Sequence, residues 1–141
     1  MKLRTDLPLG WRLRAGMAAL VIPPLVHVVP MHRLAPRLGA APGTAPSGPP
    51  EGRAAAWVDA LLERLPGPWR HTCLKRSAVL YHLFRRTGAP VELWIGVRRG
   101  EAGALAAHAW LVRDGEPYLE RGEEEIGRFA VIARFPERAG A

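Results

Sequence analysis

Apolar residues recur with a helical period between residues 73 and 87. The stripe predicted to be buried there consists of Cys73, Ser77, Leu80 and Phe84. Thr72 directly precedes this stripe and is a suitable N-cap, because its hydroxyl can accept a backbone N–H of the first turn. Gly88 is a stop signal. The pattern predicts a helix that begins at Cys73 and ends near Gly88.

The period changes from helix to strand after Gly88. Four runs of strand-like character follow, at residues 91–98, 105–112, 116–121 and 128–135. Asp114-Gly115, between the second and third runs, is a strong hairpin signal. A further helical pattern covers residues 53–65 and ends at Pro66-Gly67-Pro68. These helices and strands predict a small α+β domain.

The chain divides by composition into four segments. Residues 1–35 are a basic, apolar arm, and residues 36–52 form a linker with five prolines and four glycines. The globular domain is expected at residues 53–136, followed by a short tail at residues 137–141. We expect the arm to be helical and to pack on the domain or on a partner protein.

The arm also has features of a secretory signal, with a charged start, an apolar run and small residues near Gly39-Ala40-Ala41. Pro23-Pro24 interrupts that run, and a membrane span needs about 18 unbroken apolar residues. A single cysteine excludes an internal disulfide and a cysteine-based zinc site, and it fits a reducing compartment. We therefore expect a cytoplasmic protein without a transmembrane segment.

The formal net charge of +7 is unevenly distributed. Residues 1–52 have six basic and two acidic groups (+4), residues 53–100 nine and three (+6), and residues 101–141 five and eight (−3). Such a field attracts acidic peptides, nucleic acids or anionic membrane surfaces. Nucleic-acid binding is not expected, because aromatic residues are not interleaved with the basic ones as they are in single-strand binders.

Cys73 is the only cysteine and the first residue of a predicted helix. Backbone N–H groups at a helix N-terminus stabilise a thiolate and so favour a nucleophile. The alternative is a small buried core residue, which is the commonest role of a lone cysteine.

A thiolate nucleophile needs a base, usually histidine, and the imidazole needs an acceptor that orients it. If the hairpin closes through a three-residue loop with Gly115 as a bulge, His108 lies opposite Glu120 with Cβ atoms about 5 Å apart. Both would then share a sheet face against which the Cys73 stripe can pack. A two-residue turn would instead place Arg121 opposite His108 and turn Glu120 to the other face.

The other histidines are weaker candidates for the base. His71 lies two residues before the thiol and is interpreted as a loop residue, while His82 lies in mid-helix on the side away from Cys73 and is interpreted as structural or solvated. His27 and His32 fall in the arm. We expect neither a metal site nor a cofactor.

Two runs of the sequence, TCLKRSAVLYHLFRRTGAPVELWIGVRRG and AHAWLVRDGEP, then become recognisable. Their ordered motifs, Thr-Cys-Leu, Arg-Arg-x-Gly, Leu-x-Ile-Gly-Val and Ala-His-Ala-Trp, resemble the transglutaminase-like cysteine peptidases that remove leader peptides in lasso peptide biosynthesis. The resemblance covers about residues 53–136 and is to the split type, in which this domain stands alone. It implies a transglutaminase-like or papain-like scaffold, with the cysteine beginning a core helix and the histidine on a small antiparallel sheet.

The resemblance implies a Cys-His-Asp triad with Cys73 as nucleophile and His108 as base. The family's aspartate is replaced by Glu120 at the matching position, with Glu123 and Glu124 as fallbacks. The thiolate would attack the last leader carbonyl, and water would release the leader from the resulting thioester.

The oxyanion of that reaction needs fixed hydrogen-bond donors. The backbone N–H of Cys73 is the first candidate and the indole N–H of Trp69 the second, although Trp69 is also interpreted as a residue that covers the core.

The resemblance also implies partners, because fused relatives carry an N-terminal leader-binding domain and residues 1–52 lack its strands. We expect a precursor leader peptide, a separate leader-binding protein and the ATP-dependent lasso cyclase. The basic, apolar arm is the expected docking surface for the leader-binding protein or for the precursor. Two other functions stay open: acyl transfer to an amine on the same scaffold, and a non-catalytic module that presents a peptide.

Overall fold

The structure, a computed structural model, describes residues 7–40, 43, 48–69, 72–120 and 126–136. This part of the chain contains the α-helices α1 (Leu9–Val28), α2 (Met31–Leu38), α3 (Glu51–Arg64) and α4 (Cys73–Arg86). It also contains the strands β1 (Val91–Arg99), β2 (Leu105–Arg113), β3 (Glu116–Tyr118) and β4 (Ala130–Phe135). The α+β class predicted from the hydrophobic pattern is therefore confirmed.

Helix α4 begins and ends where the pattern predicts. Thr72 has an extended backbone, and its Oγ1 accepts the backbone N–H of Lys75 at 3.3 Å. Gly88, two residues beyond the helix, has a φ of +90°, which favours glycine because it has no Cβ. The Thr72 cap therefore makes Cys73 the first residue of α4, and Gly88 marks the end of the helix.

The strands form one antiparallel sheet in the order β3-β2-β1-β4. The turn between β2 and β3 has two residues, Asp114-Gly115, and both have a positive φ, of 54° and 80°. The predicted three-residue loop is wrong, and with it the direct pairing of His108 with Glu120. Pairing between β2 and β3 ends after three residues, at Leu111 and Tyr118.

One face of the sheet packs on the helices. Leu93 and Leu111 enter this core from β1 and β2, while Leu80 and Phe84 enter it from α4. Helix α1 packs on α4 and adds the buried Trp11. One hydrophobic core therefore continues from α1 to the sheet.

The N-terminal segments contain regular structure. Helix α1 continues through Pro23-Pro24, and α2 includes residues 36–38, which the composition assigns to the linker. No helix in the described part of the chain has the length and apolar character needed to cross a membrane.

Candidate active site

Cys73 is half-buried and packs against the core on the helix side of the sheet. One turn further along α4, the Ser77 hydroxyl donates to the backbone carbonyl of Ala109 at 3.1 Å. Ala109 lies on β2 beyond the last residue that pairs with β3. The first turns of α4 are therefore attached to β2 directly beside His108.

His108 lies on the sheet face away from the helices. Its ring stacks on Trp110 with a centroid distance of 5.7 Å, and Phe129 approaches it to 5.5 Å. Trp110 and Phe129 belong to a second apolar cluster, whereas the neighbouring Ala109 belongs to the helix-side core. The expectation that the Cys73 stripe packs on the face that carries His108 is therefore wrong, because alternation along β2 turns His108 the other way.

Glu120 nevertheless contacts His108. The distance from His108 Nε2 to Glu120 Oε2 is 2.5 Å. The contact forms because Leu119 has a φ of +55°, which ends the extended strand and turns the next residue back toward the imidazole. The contact therefore arises from this turn and not from the direct pairing across the hairpin that the sequence predicts.

The contact with Glu120 assigns the roles of the two imidazole nitrogens. A carboxylate accepts hydrogen bonds, so Nε2 carries the proton and Nδ1 is the basic nitrogen of the neutral ring. Among the residues that the structure describes, no hydrogen bond joins the Cys73 thiol to His108. Catalytic hydrogen bonds are often formed fully only when the substrate is bound.

Arg76, which also lies on α4, contacts the segment that carries Glu120. Arg76 is 4% exposed; its Nε donates to Asp59 Oδ1 of α3 at 2.7 Å, and its Nη2 donates to the carbonyl oxygen of Leu119. Its Nη1 lies 4.0 Å from Glu120 Oε1. A chain of contacts therefore runs from the first turn of α4 through Glu120 to His108.

Arg76 and Asp59 are not among the site residues predicted from the sequence, because charged residues in amphipathic helices are usually exposed. The pattern of apolar and polar residues nevertheless contains a signal for this pair. Asp59 lies between apolar residues of α3, and Arg76 lies between Cys73 and Ser77 on the stripe side of α4. Two opposite charges on the buried faces of adjacent helices indicate an internal ion pair.

Residues 16–134 match the family model described as the transglutaminase-like superfamily. The chain belongs to the transglutaminase-like superfamily. The match begins inside α1 and ends in β4, so it includes part of α1, the other three α-helices and all of the sheet except Phe135. Membership supports a fold of the cysteine peptidase or acyltransferase type for this transglutaminase-like chain. No curated protein and no solved structure matches it.

The second oxyanion candidate of this transglutaminase-like protein is not supported. The Trp69 indole N–H donates to the backbone carbonyl of Leu20 in α1 at 2.7 Å, so its one donor is already engaged. The interpretation of Trp69 as a residue that covers the core agrees with this contact. His71 and the fallback acids Glu123 and Glu124 lie outside the described residues.

His82 has a structural contact. Its Nδ1 lies 2.9 Å from the carbonyl oxygen of Leu38 and joins α4 to the end of α2. Burial lowers the pKa of His82 below its ordinary value, which favours the neutral ring in the folded protein. The interpretation of His82 as a structural residue agrees with this environment.

Proposed function

We propose that this protein is a cysteine peptidase that removes the leader peptide from a ribosomally made lasso precursor in the cytoplasm. The observation that carries the proposal is the 2.5 Å contact of His108 with Glu120, in a superfamily member whose single cysteine begins a capped helix. The resemblance of about residues 53–136 to lasso leader peptidases supports the choice of substrate.

In the proposed reaction the His108 Nδ1 takes the thiol proton of Cys73. The sulfur forms a bond to the carbonyl carbon at the end of the leader, and the C–N bond to the core peptide breaks. His108 transfers its proton to the departing amine. Water then attacks the thioester, the C–S bond breaks, and the leader leaves with a free carboxyl group while the thiol is restored.

The oxyanion of each tetrahedral intermediate would lie at the N-terminus of α4. The backbone N–H of Cys73 is one of the first N–H groups of that helix, which have no acceptor within it. Such a fixed donor stabilises the charge that develops on the carbonyl oxygen. Glu120 stabilises the imidazolium formed at the same time.

The proposal includes a separate leader-binding protein, which would dock in a groove between α1 and α4. This groove, called the α1 groove, has a volume of about 300 Å³. Its lining is mainly apolar, with the guanidinium groups of Arg14 and Arg86 and no acidic side chain among the described residues. The buried Nε of Arg86 has no hydrogen-bond partner within the described part of the chain.

This charge pattern favours a partner that presents apolar residues flanked by carboxylates. A second copy of the chain bound through the same groove about a two-fold axis would place the arginines of one copy against the basic surface of the other. A leader-binding protein with an acidic rim would instead pair with both arginines. The lasso cyclase is a further proposed partner by family analogy alone.

The function is tested by incubating a candidate lasso precursor with its leader-binding protein and this chain. Mass spectrometry of the products of wild type, Cys73→Ala and His108→Ala identifies cleavage between leader and core. We expect cleavage by wild type only. The control is His32→Ala, because His32 is an exposed histidine of α2 that does not line the α1 groove.

The other possible outcomes of this assay would exclude the mechanism or favour a different function. Cleavage by Cys73→Ala would exclude the proposed mechanism. Precursor binding by wild type without cleavage would favour a non-catalytic presenting module. If an added primary amine is joined to the new end of the leader in preference to water, the activity is acyl transfer.

A second test measures the reactivity of the thiol itself. If the N-terminus of α4 and His108 stabilise the thiolate, iodoacetamide should alkylate Cys73 of the wild type faster at neutral pH than Cys73 of His108→Ala. The rates of both proteins are measured at pH 7. Equal rates would show a thiol that His108 does not activate and would contradict the proposal.

A further inference from the structure

Glu120 reaches His108 only because the backbone turns at Leu119. In the observed register Leu111 pairs with Tyr118, so a continued strand would pair residue 120 with Ala109. That position faces the helices, on the side of the sheet opposite to His108. The left-handed φ of Leu119 changes this direction, and such a conformation is unfavourable for a leucine.

Arg76 contacts both residues of this turn. Its Nη2 donates to the carbonyl oxygen of Leu119, and its Nη1 lies 4.0 Å from the other carboxylate oxygen of Glu120, Oε1. The guanidinium is planar and rigid, so these contacts restrict both the Leu119 peptide and the carboxylate. A lysine would keep the charge but could not reproduce this geometry.

Asp59 holds the guanidinium from the opposite side. The bond from Arg76 Nε to Asp59 Oδ1 is 2.7 Å long, and the two side chains are 5% and 8% exposed. A buried ion pair with one fixed geometry contributes more to position than to stability. Asp59, Arg76 and Glu120 therefore form a connected support from α3 to the imidazole.

We propose that Arg76, held by Asp59, is a positioning residue that keeps Glu120 on His108 through the left-handed turn at Leu119. The inference rests on the proposed function for its catalytic consequence, since Glu120 would otherwise not orient a catalytic base. The position of Glu120 can be measured without turnover, through the hydrogen bond that it accepts from His108 Nε2.

The experiment separates the charge of Arg76 from its geometry. NMR of the His108 ring measures how fast the Nε2 proton exchanges with water in a Cys73→Ala background, in which no thiol is present. Glu120→Gln should speed this exchange about tenfold or more, because a neutral amide holds the proton more weakly than the carboxylate that lies 2.5 Å from Nε2.

Arg76→Lys keeps the positive charge, so an electrostatic role alone predicts an unchanged exchange rate of the His108 Nε2 proton. The positioning role predicts that this rate rises at least about threefold. In the cleavage assay Arg76→Lys should lower kcat about tenfold or more with little change in KM. The matched control is Arg85→Lys on the same helix, which should change neither value.

The outcomes separate the two proposals. If Glu120→Gln speeds exchange of the Nε2 proton and Arg76→Lys does not, the positioning role is excluded and the triad is kept. If Glu120→Gln has no effect on that exchange, both fail. If Arg76→Lys does not fold by circular dichroism, Asp59→Asn replaces it: this variant weakens the hold on Arg76, and an unchanged exchange rate would overturn the inference.

Discussion

The packing around the His108 ring depends on Gly96, a residue that has no side chain. Gly96 pairs with His108 across β1 and β2, and a Cβ at Gly96 would lie 2.8 Å from Phe129 Cβ and 2.9 Å from Trp110 Cη2. These two aromatic residues flank the imidazole. Gly96 therefore allows the aromatic rings to close around His108.

We expect Gly96→Ala to lower the free energy of unfolding by about 1–3 kcal/mol, because the added methyl group overpacks this cluster. Displacement of Phe129 and Trp110 should also reduce cleavage. Urea unfolding measures the first effect and the cleavage assay the second. Gly127→Ala is the control, since a Cβ there meets nothing within 4 Å; equal stability of the two variants would contradict the prediction.

His82 predicts a pH dependence of stability. Its pKa is lowered by burial from the ordinary value of 6.5, so the unfolded chain binds more protons when the pH falls below about 6.5. The free energy of unfolding should therefore decrease more steeply between pH 7.5 and pH 5 in wild type than in His82→Gln. Glutamine can still donate to the Leu38 carbonyl.

Urea unfolding at both pH values measures this difference. The control is His32→Gln, which changes an exposed histidine and should keep the wild-type pH dependence. Carboxylates titrate in all three proteins and cancel in the comparison. An identical pH dependence of wild type and His82→Gln would contradict the assignment of the lowered pKa to His82.

At the scale of elements, the N-terminus of α4 connects helix capping with thiol chemistry. Thr72→Ala removes the acceptor of the Lys75 N–H, and we expect a loss of about 1 kcal/mol in the free energy of unfolding. Because the first turn then frays, Cys73 should also be alkylated more slowly at neutral pH. Thr72→Ser keeps the hydroxyl and should retain both properties.

Unchanged stability and alkylation in Thr72→Ala would show that the cap supports neither the helix nor the thiolate. This prediction could be made from sequence, because an N-cap, an apolar stripe and a glycine stop are local signals. The structure confirms all three at Thr72, Cys73–Arg86 and Gly88.

The β2–β3 hairpin shows why local signals did not predict the geometry of the acid. Asp-Gly fits either a two-residue turn or the last two residues of the three-residue loop Arg113-Asp114-Gly115, and the choice shifts the register by one residue. The structure has the shorter turn, which alone would separate His108 from Glu120. The contact with Arg76 at Leu119, 43 residues away in sequence, accompanies the return of Glu120.

At the scale of the whole molecule, the period of the sequence predicted helices and strands after residue 53 but not how the N-terminal helices pack. Helix α1 is apolar on several sides, so its pattern does not indicate which side is buried. The structure buries Trp11, Ala15 and Ile22 against the rest of the core. Long-range packing of this kind depends on the shape of the partner surface, which periodicity does not contain.

The outer side of α1 leaves a row of exposed apolar residues beside the α1 groove: Leu9, Leu13, Met17, Leu20 and Val21. The row is about 18 Å long, given 1.5 Å per helical residue, and can cover several turns of a partner helix. An apolar row with arginines at its border is the surface that the proposed leader-binding protein would use. Met17→Glu, combined with Arg14→Glu, should therefore weaken binding of that protein by at least about tenfold, since it places two carboxylates against an apolar and acidic surface.

Fluorescence anisotropy with the labelled leader-binding protein measures the affinity, and cleavage of the full precursor should fall in parallel. The alkylation rate of Cys73 should stay at the wild-type value, because the mutated residues do not contact α4 at its first turn. Ile132→Glu combined with Arg99→Glu is the matched control with the same change of charge, as Ile132 of β4 is 64% exposed, Met17 is 62% exposed, and Arg14 and Arg99 are both exposed. Similar weakening by both variants would indicate a general effect of charge, whereas full affinity in the α1 variant would exclude this groove as the docking site and leave the proposed chemistry at Cys73 unaffected.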